Sequence, residues 1–185
     1  DEHGINAVVA RLEHNDGEVR RAAVKALGQV AEAGDEHAIA AVSGFLEHRD
    51  GNVRQAAVRG LARVASRGDE CALGAVTMRL GHHDSETREA ALEALAKISR
   101  IGDKRGISLV SARLEDESIF VRKAAVRSLG EIVKKGDGYA IEAVSLRLEH
   151  RESGVRQAAL RGLGHVAQRG NAHAIEAVSL RLEHR

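Results

Sequence analysis

The chain repeats itself every 34 residues, and that period restricts the fold more than any other property of the sequence. Asp1, Asp35, Asp69, Asp103, Asp137 and Asn171 stand at this interval, each opening a similar block. The second half of the block reads EVRRAAVKALGQV, NVRQAAVRGLARV, ETREAALEALAKI, FVRKAAVRSLGEI and GVRQAALRGLGHV. A period that never slips marks an array of similar units, each resting on its neighbours. The repeats run 1–34, 35–68, 69–102, 103–136 and 137–170, with a half repeat at 171–185, and read as one domain over 1–185.

Within each unit the apolar residues keep helical spacing. Ile5, Val8 and Leu12, then Ile39, Val42 and Leu46, step by three and four, so they share one face of a helix. Val19, Ala23, Leu27 and Val30 repeat the pattern in the second half. Two amphipathic helices per unit follow, of about 12 and about 16 residues, or roughly 18 and 24 Å in length. Neither buries its stripe alone, so the units must stack.

Cap chemistry marks the boundaries. Gly34, Gly68, Gly102, Gly136 and Gly170 suit the left-handed position after a helix, and the Asp or Asn that follows suits the N-cap of the next one. Asp16, Asp50 and Asp84 fall near the start of the second helix, where a carboxylate meets free amides; Ser118 and Glu152 hold that place in later units.

Composition agrees with an all-α chain. Pro is absent, aromatic residues make up 2%, and apolar residues make up 43%. With Phe45, Phe120 and Tyr139 as the aromatics, the core must be built from small aliphatic side chains. The net charge of +1, from 28 basic and 27 acidic residues, gives no global field for nucleic acid or an anionic membrane. Cys71, the single cysteine, excludes an intrachain disulfide and fits a reducing compartment. No stretch reaches the roughly 20 apolar residues that span a bilayer, and the chain reads as soluble.

The pattern D..VR.AA..AL..(V/I) resembles the second-helix signature of HEAT repeats, particularly their short phycobilisome-lyase class, over the whole chain. The Trp, Tyr and Pro of tetratricopeptide repeats and the TPLH turn of ankyrin are absent. The resemblance implies a right-handed α-solenoid, with first helices on the convex face and second helices on the concave one. It also implies a structural ladder between units built from Arg20, Arg54, Arg88, Arg122 and Arg156 with Asp16, Asp50 and Asp84.

Catalytic and metal chemistry find little support. His14, His48, His82, His150 and His184 recur at one place, but equivalent positions on packed helices lie roughly 10 Å apart, too far for ligands that sit about 2 Å from one ion. They are expected instead to end the first helix and serve its free carbonyls. No metal or cofactor is expected. The HEAT-like deoxyhypusine hydroxylases carry His-Glu pairs at the start of their second helices. The matching places here read Arg21-Ala22, Gln55-Ala56, Glu89-Ala90, Lys123-Ala124 and Gln157-Ala158, so that activity does not carry over. Bilin lyase or chaperone-lyase activity, the alternative from the lyase resemblance, would need a tetrapyrrole pocket that three scattered aromatics furnish poorly.

A surface is the remaining candidate. The second-helix positions pointing away from both apolar neighbours are Arg21, Lys25 and Gln29, then Gln55, Arg59 and Arg63, then Glu89, Glu93 and Lys97, then Lys123, Arg127 and Glu131, and finally Gln157, Arg161 and His165. Together they carry +5 with His neutral, so a nearly neutral chain holds a basic stripe interrupted in its third unit. The expected function is a protein-interaction scaffold binding an acidic helix or acidic extended segment there; weak nucleic-acid binding is a second alternative. At the carboxyl end, residues 174–185 copy residues 140–151 letter for letter, where a cap would differ. Either the natural chain continues, or another copy associates end to end.

Overall fold

The computed structural model describes residues 2–182; Asp1, His184 and the side chain of Leu182 lie outside the described part. Contacts divide the chain into two units, Asp1–Ser99 and Arg100–Arg185. The first holds α1 (Glu2–Val9), α2 (Gly17–Val30), α3 (Glu36–Gly44), α4 (Gly51–Val64), α5 (Glu70–Arg79) and α6 (Ser85–Ile98). The second holds α7 (Lys104–Ala112), α8 (Ile119–Ile132), α9 (Gly138–Ser145), α10 (Ser153–Val166) and α11 (Ala172–Leu182). Among the described residues there is no strand, and no helix is long and apolar enough to cross a membrane.

Each unit is built in two layers, the packing of an α-solenoid. In the first, α1, α3 and α5 pack side by side, α2, α4 and α6 form the other layer, and each pair α1/α2, α3/α4 and α5/α6 packs across. In the second, α7, α9 and α11 form one layer and α8 and α10 the other, with α7 on α8 and α9 on α10. Between the layers lie the periodic aliphatics. Leu27, Leu61, Leu95 and Leu129 are wholly buried, as are Leu12, Leu46 and Leu114. Val30 is 41% exposed, whereas its equivalents Val64, Ile98, Ile132 and Val166 are buried.

Helix lengths differ from the sequence expectation in an instructive way. In the five full repeats the first helices α1, α3, α5, α7 and α9 are 8 to 10 residues of α-helix, and in four of them a 3₁₀ turn such as Phe45–Glu47 completes the expected length. The tighter turn is a common way for a helix to end. The second helices span 14 residues, two fewer than expected, because Ala31 and its equivalents turn extended, at ψ 139 for Ala31.

The glycines therefore do not follow the helix directly. Asp35 N–H donates to the Glu32 carbonyl at 3.1 Å, closing a four-residue turn whose third residue, Gly34, has φ +90. That is the type II geometry, which asks for glycine at this point. The turn also joins one repeat to the next: Gly34 N–H donates to the Val64 carbonyl at 2.7 Å, and Gly68 donates to Ile98 at 2.6 Å. In the second unit Gly102 reaches Ile132 and Gly136 reaches Val166, both at 2.7 Å. Each bond satisfies a carbonyl that the end of a helix leaves unpaired. Val30, onto which no such turn folds among the described residues, keeps its exposure.

The N-caps follow the sequence closely. Asp35, Asp69, Asp103, Asp137 and Asn171 accept from the amide three residues on. Asp16, Asp50 and Asp84 accept from the amides of Glu18, Asn52 and Glu86. Ser118 and Glu152 stand at the same place without a side-chain cap bond.

Candidate functional site

The repeated arginine is a staple for the loop between the two helices. Arg20 Nη1 donates to the carbonyls of His14 and Asn15 at 2.6 and 2.8 Å, and Arg54 Nη1 to those of His48 and Arg49 at 2.7 and 3.0 Å. Arg88, Arg122 and Arg156 repeat the pair of bonds. One planar donor group thus satisfies two carbonyls where the chain leaves the first helix. Between repeats, Arg54 Nη2 pairs with Glu86, and the Arg54 side chain is 11% exposed.

Charge links the repeats as well. The Asp50 carboxyl is held below the usual carboxylate range by the Asn52 amide first, with further help from the Arg20 guanidinium of the preceding repeat. For Asp84, burial pushes upward, but the bonds from Thr87 Oγ1 and the Glu86 and Thr87 amides, with the charge of Arg54, outweigh it and lower the pKa. A carboxyl lowered in the folded state stabilises fully above its unfolded value of about 3.9, and that stability is lost as pH falls through the folded value. In urea titrations over pH, the stability gap between the wild type and Asp84→Asn is expected to be widest near neutrality and to close in acid. A gap independent of pH would contradict this account.

The recurring histidines act as acceptors, a correction to the expectation that they serve free carbonyls. Nδ1 of His14, His48, His82 and His150 accepts from the amide of Asp16, Asp50, Asp84 and Glu152 at 3.0, 3.0, 3.2 and 3.1 Å. The ring proton therefore sits on Nε2, and in His48 and His82 that nitrogen lies 4.0 and 3.9 Å from Glu13 and Glu47 of the preceding repeat. Asp116 takes the place in the fourth repeat, with Oδ1 accepting from Ser118 N–H at 2.9 Å. What the position requires is an acceptor, which His and Asp both supply. Among the described residues no three His, Cys, Asp or Glu side chains gather as a metal-binding group. Cys71 is exposed, and partial desolvation, with Glu36 and Asp69, raises its thiol above the ordinary value.

The cationic second-helix positions are mostly exposed, and the structure draws some of them into grooves. In the first unit, α2 and α4 frame a groove of about 410 Å³ lined by Gly17, Arg20, Arg21, Val24, Asn52, Gln55, Ala56 and Arg59. Much of its polarity is already engaged: Glu18 pairs with Arg21, Asn52 Nδ2 donates to Asp50 at 3.2 Å, and Gln55 Nε2 donates to Glu93 at 2.5 Å. In the second unit, α8 and α10 frame a groove of about 250 Å³ lined by Ile119, Arg122, Lys123, Val126, Arg127, Gly154, Gln157, Ala158 and Arg161. Lys25 and Gln29 on α2, Arg63 on α4 and Lys97 on α6 are exposed but line neither groove.

Two features escaped the sequence reading. Glu47 Oε1 lies 2.9 Å from Arg79 Nε, and Glu115 Oε1 lies 2.7 Å from Arg147 Nε, pairing the first helices of adjacent repeats. Their common separation of 32 residues was the available signal. The other is Gly154, at a position held by Glu18, Asn52, Glu86 and Phe120 in the other repeats, which only a column-by-column comparison of the units reveals.

The comparisons with known proteins agree with this architecture. A family model described as HEAT repeats matches residues 5–96, 41–130 and 79–164. A designed armadillo repeat protein in complex with the peptide (KR)4 is 20% identical, with a TM-score of 0.51, and covers 97% of this chain and 90% of its own. A second designed armadillo repeat protein is 20% identical with a TM-score of 0.50, covering 97% and 91%. An engineered protein of known structure is 25% identical with a TM-score of 0.48, covering 97% and 89%. No curated protein sequence matches.

Proposed function

The chain belongs to the HEAT-repeat family, and from that premise we propose that it is a protein-interaction scaffold whose second-helix face takes an acidic helix or acidic extended segment. HEAT and armadillo repeat folds commonly serve as binding platforms, and no reaction is assigned to this one. The observation that carries the reading is the row of exposed cations bordering a groove in each unit, with Arg59 in the first and Arg127 and Arg161 in the second. The designed armadillo protein of shared fold holds a basic peptide. Here the bordering charges are positive, so electrostatic complementarity favours the opposite sign in the ligand.

The test compares the wild-type chain with the Arg59→Glu, Arg127→Glu double variant as affinity baits in source-cell extract. Expected is a protein that salt releases, that the variant retains at least about tenfold less, and whose acidic segment competes as a synthetic peptide. Equal recovery on both baits, unaffected by salt, would set this reading aside.

A further inference from the structure

We propose that the α8/α10 groove contains a carboxylate-binding subsite centred on Arg122, which takes an acidic side chain of the partner followed by an apolar one. This rests on the scaffold reading above and names the chemistry of one place within it.

Arg54 and Arg122 hold equivalent places in their repeats. Both Arg54 and Arg122 spend Nη1 on two loop carbonyls. Arg54 Nη2 is then taken by the carboxylate of Glu86 from the next repeat. At the residue equivalent to Glu86, Arg122 meets Gly154, and a Cβ built there would lie 2.8 Å from Arg122 Nη2. Glycine therefore leaves that nitrogen uncovered, and among the described residues no acceptor takes it. The protein's own Arg54–Glu86 pair shows which group such an arginine accepts. A carboxylate entering from outside can make the same charge-assisted bond.

The surroundings fit an acidic residue with an apolar neighbour. Lys123, Arg127 and Arg161 border the groove, while Ile119, Val126 and Ala158 give it apolar wall and floor. Ile119 is 49% exposed at a position occupied by Gly17, Gly51, Ser85 and Ser153 in other repeats. In the first unit's groove Gly17 stands where Ile119 does, Asn52 stands where Gly154 does, and Glu18 already pairs with Arg21.

The probe is a short fluorescein-labelled peptide alternating Glu and Leu, compared with its Gln and Leu counterpart by fluorescence anisotropy on the full chain. The wild type is expected to prefer the Glu peptide by about tenfold, the scale of a charge-assisted bond discounted for solvent. Gly154→Glu supplies the missing carboxylate from within and is expected to abolish the preference. Gly154→Ala, whose methyl would lie 2.8 Å from Arg122 Nη2 and partly cover it, is expected to lower the preference without abolishing it. Equal binding of the two peptides by the wild type, or an undiminished preference in Gly154→Glu, overturns the subsite. In either case the scaffold reading stands or falls separately, on whether Arg59→Glu with Arg127→Glu releases the native partner.

Discussion

Arg54→Lys is expected to lower the free energy of unfolding by about 2 to 3 kcal/mol. The guanidinium spans two carbonyls of the helix-connecting loop and reaches Glu86 as well. A lysine ammonium, a point charge on a flexible stem, cannot hold both carbonyls in that fork while also facing the next repeat. Carbonyls left without a partner at the end of the first helix account for most of the cost. The ion pair itself contributes less, because Glu86 is 63% exposed. Glu86→Gln is therefore expected to cost under about 1 kcal/mol. Urea unfolding of both variants measures the two figures. A larger loss in Glu86→Gln than in Arg54→Lys would mean that the arginine acts chiefly between repeats.

The larger effect is expected at Leu61→Ala, about 3 to 5 kcal/mol. Leu61 is wholly buried on α4, which packs against α2, α3 and α6. Its immediate surroundings are already close: a Cβ at neighbouring Gly60 would sit 3.0 Å from Val42 and 3.2 Å from Leu27. Helices pinned on three sides cannot collapse into the vacated space, so the cavity term adds to the lost transfer free energy. Leu61→Met keeps most of the volume and is expected to cost under about 1.5 kcal/mol. Leu146→Ala, at a residue 67% exposed, should stay within about 0.5 kcal/mol. A Leu61→Ala cost no greater than that of Leu146→Ala would show the interior to be far looser than its burial indicates.

Much of the candidate site was legible in the sequence, because its cations sit at fixed offsets on a helix whose buried side the repeat already identified. Arg21, Arg59, Lys123, Arg127 and Arg161 follow from that offset alone. Their engagement did not. Whether Arg21 is matched by Glu18, or Gln55 turned toward Glu93, depends on rotamers and on spacing across repeats, and a sum of formal charges counts neither. Nor did periodicity reveal that Arg122 Nη2 faces a glycine, since the period draws attention to what recurs and Gly154 is where recurrence stops.

The sequence by itself determined the two-helix repeat, its register, the caps supplied by Asp16, Asp35, Asp50 and their equivalents, and the aliphatic stripes of the core. These depend on chemistry within a few residues of chain and on a pattern confirmed five times over. Only the tertiary structure decided how repeats are joined. The Gly34 amide on the Val64 carbonyl, the Glu47–Arg79 pair and the Arg54–Glu86 pair connect residues about thirty positions apart. Turn geometry and helix packing bring those partners together, and neither is written in the local spacing of residues.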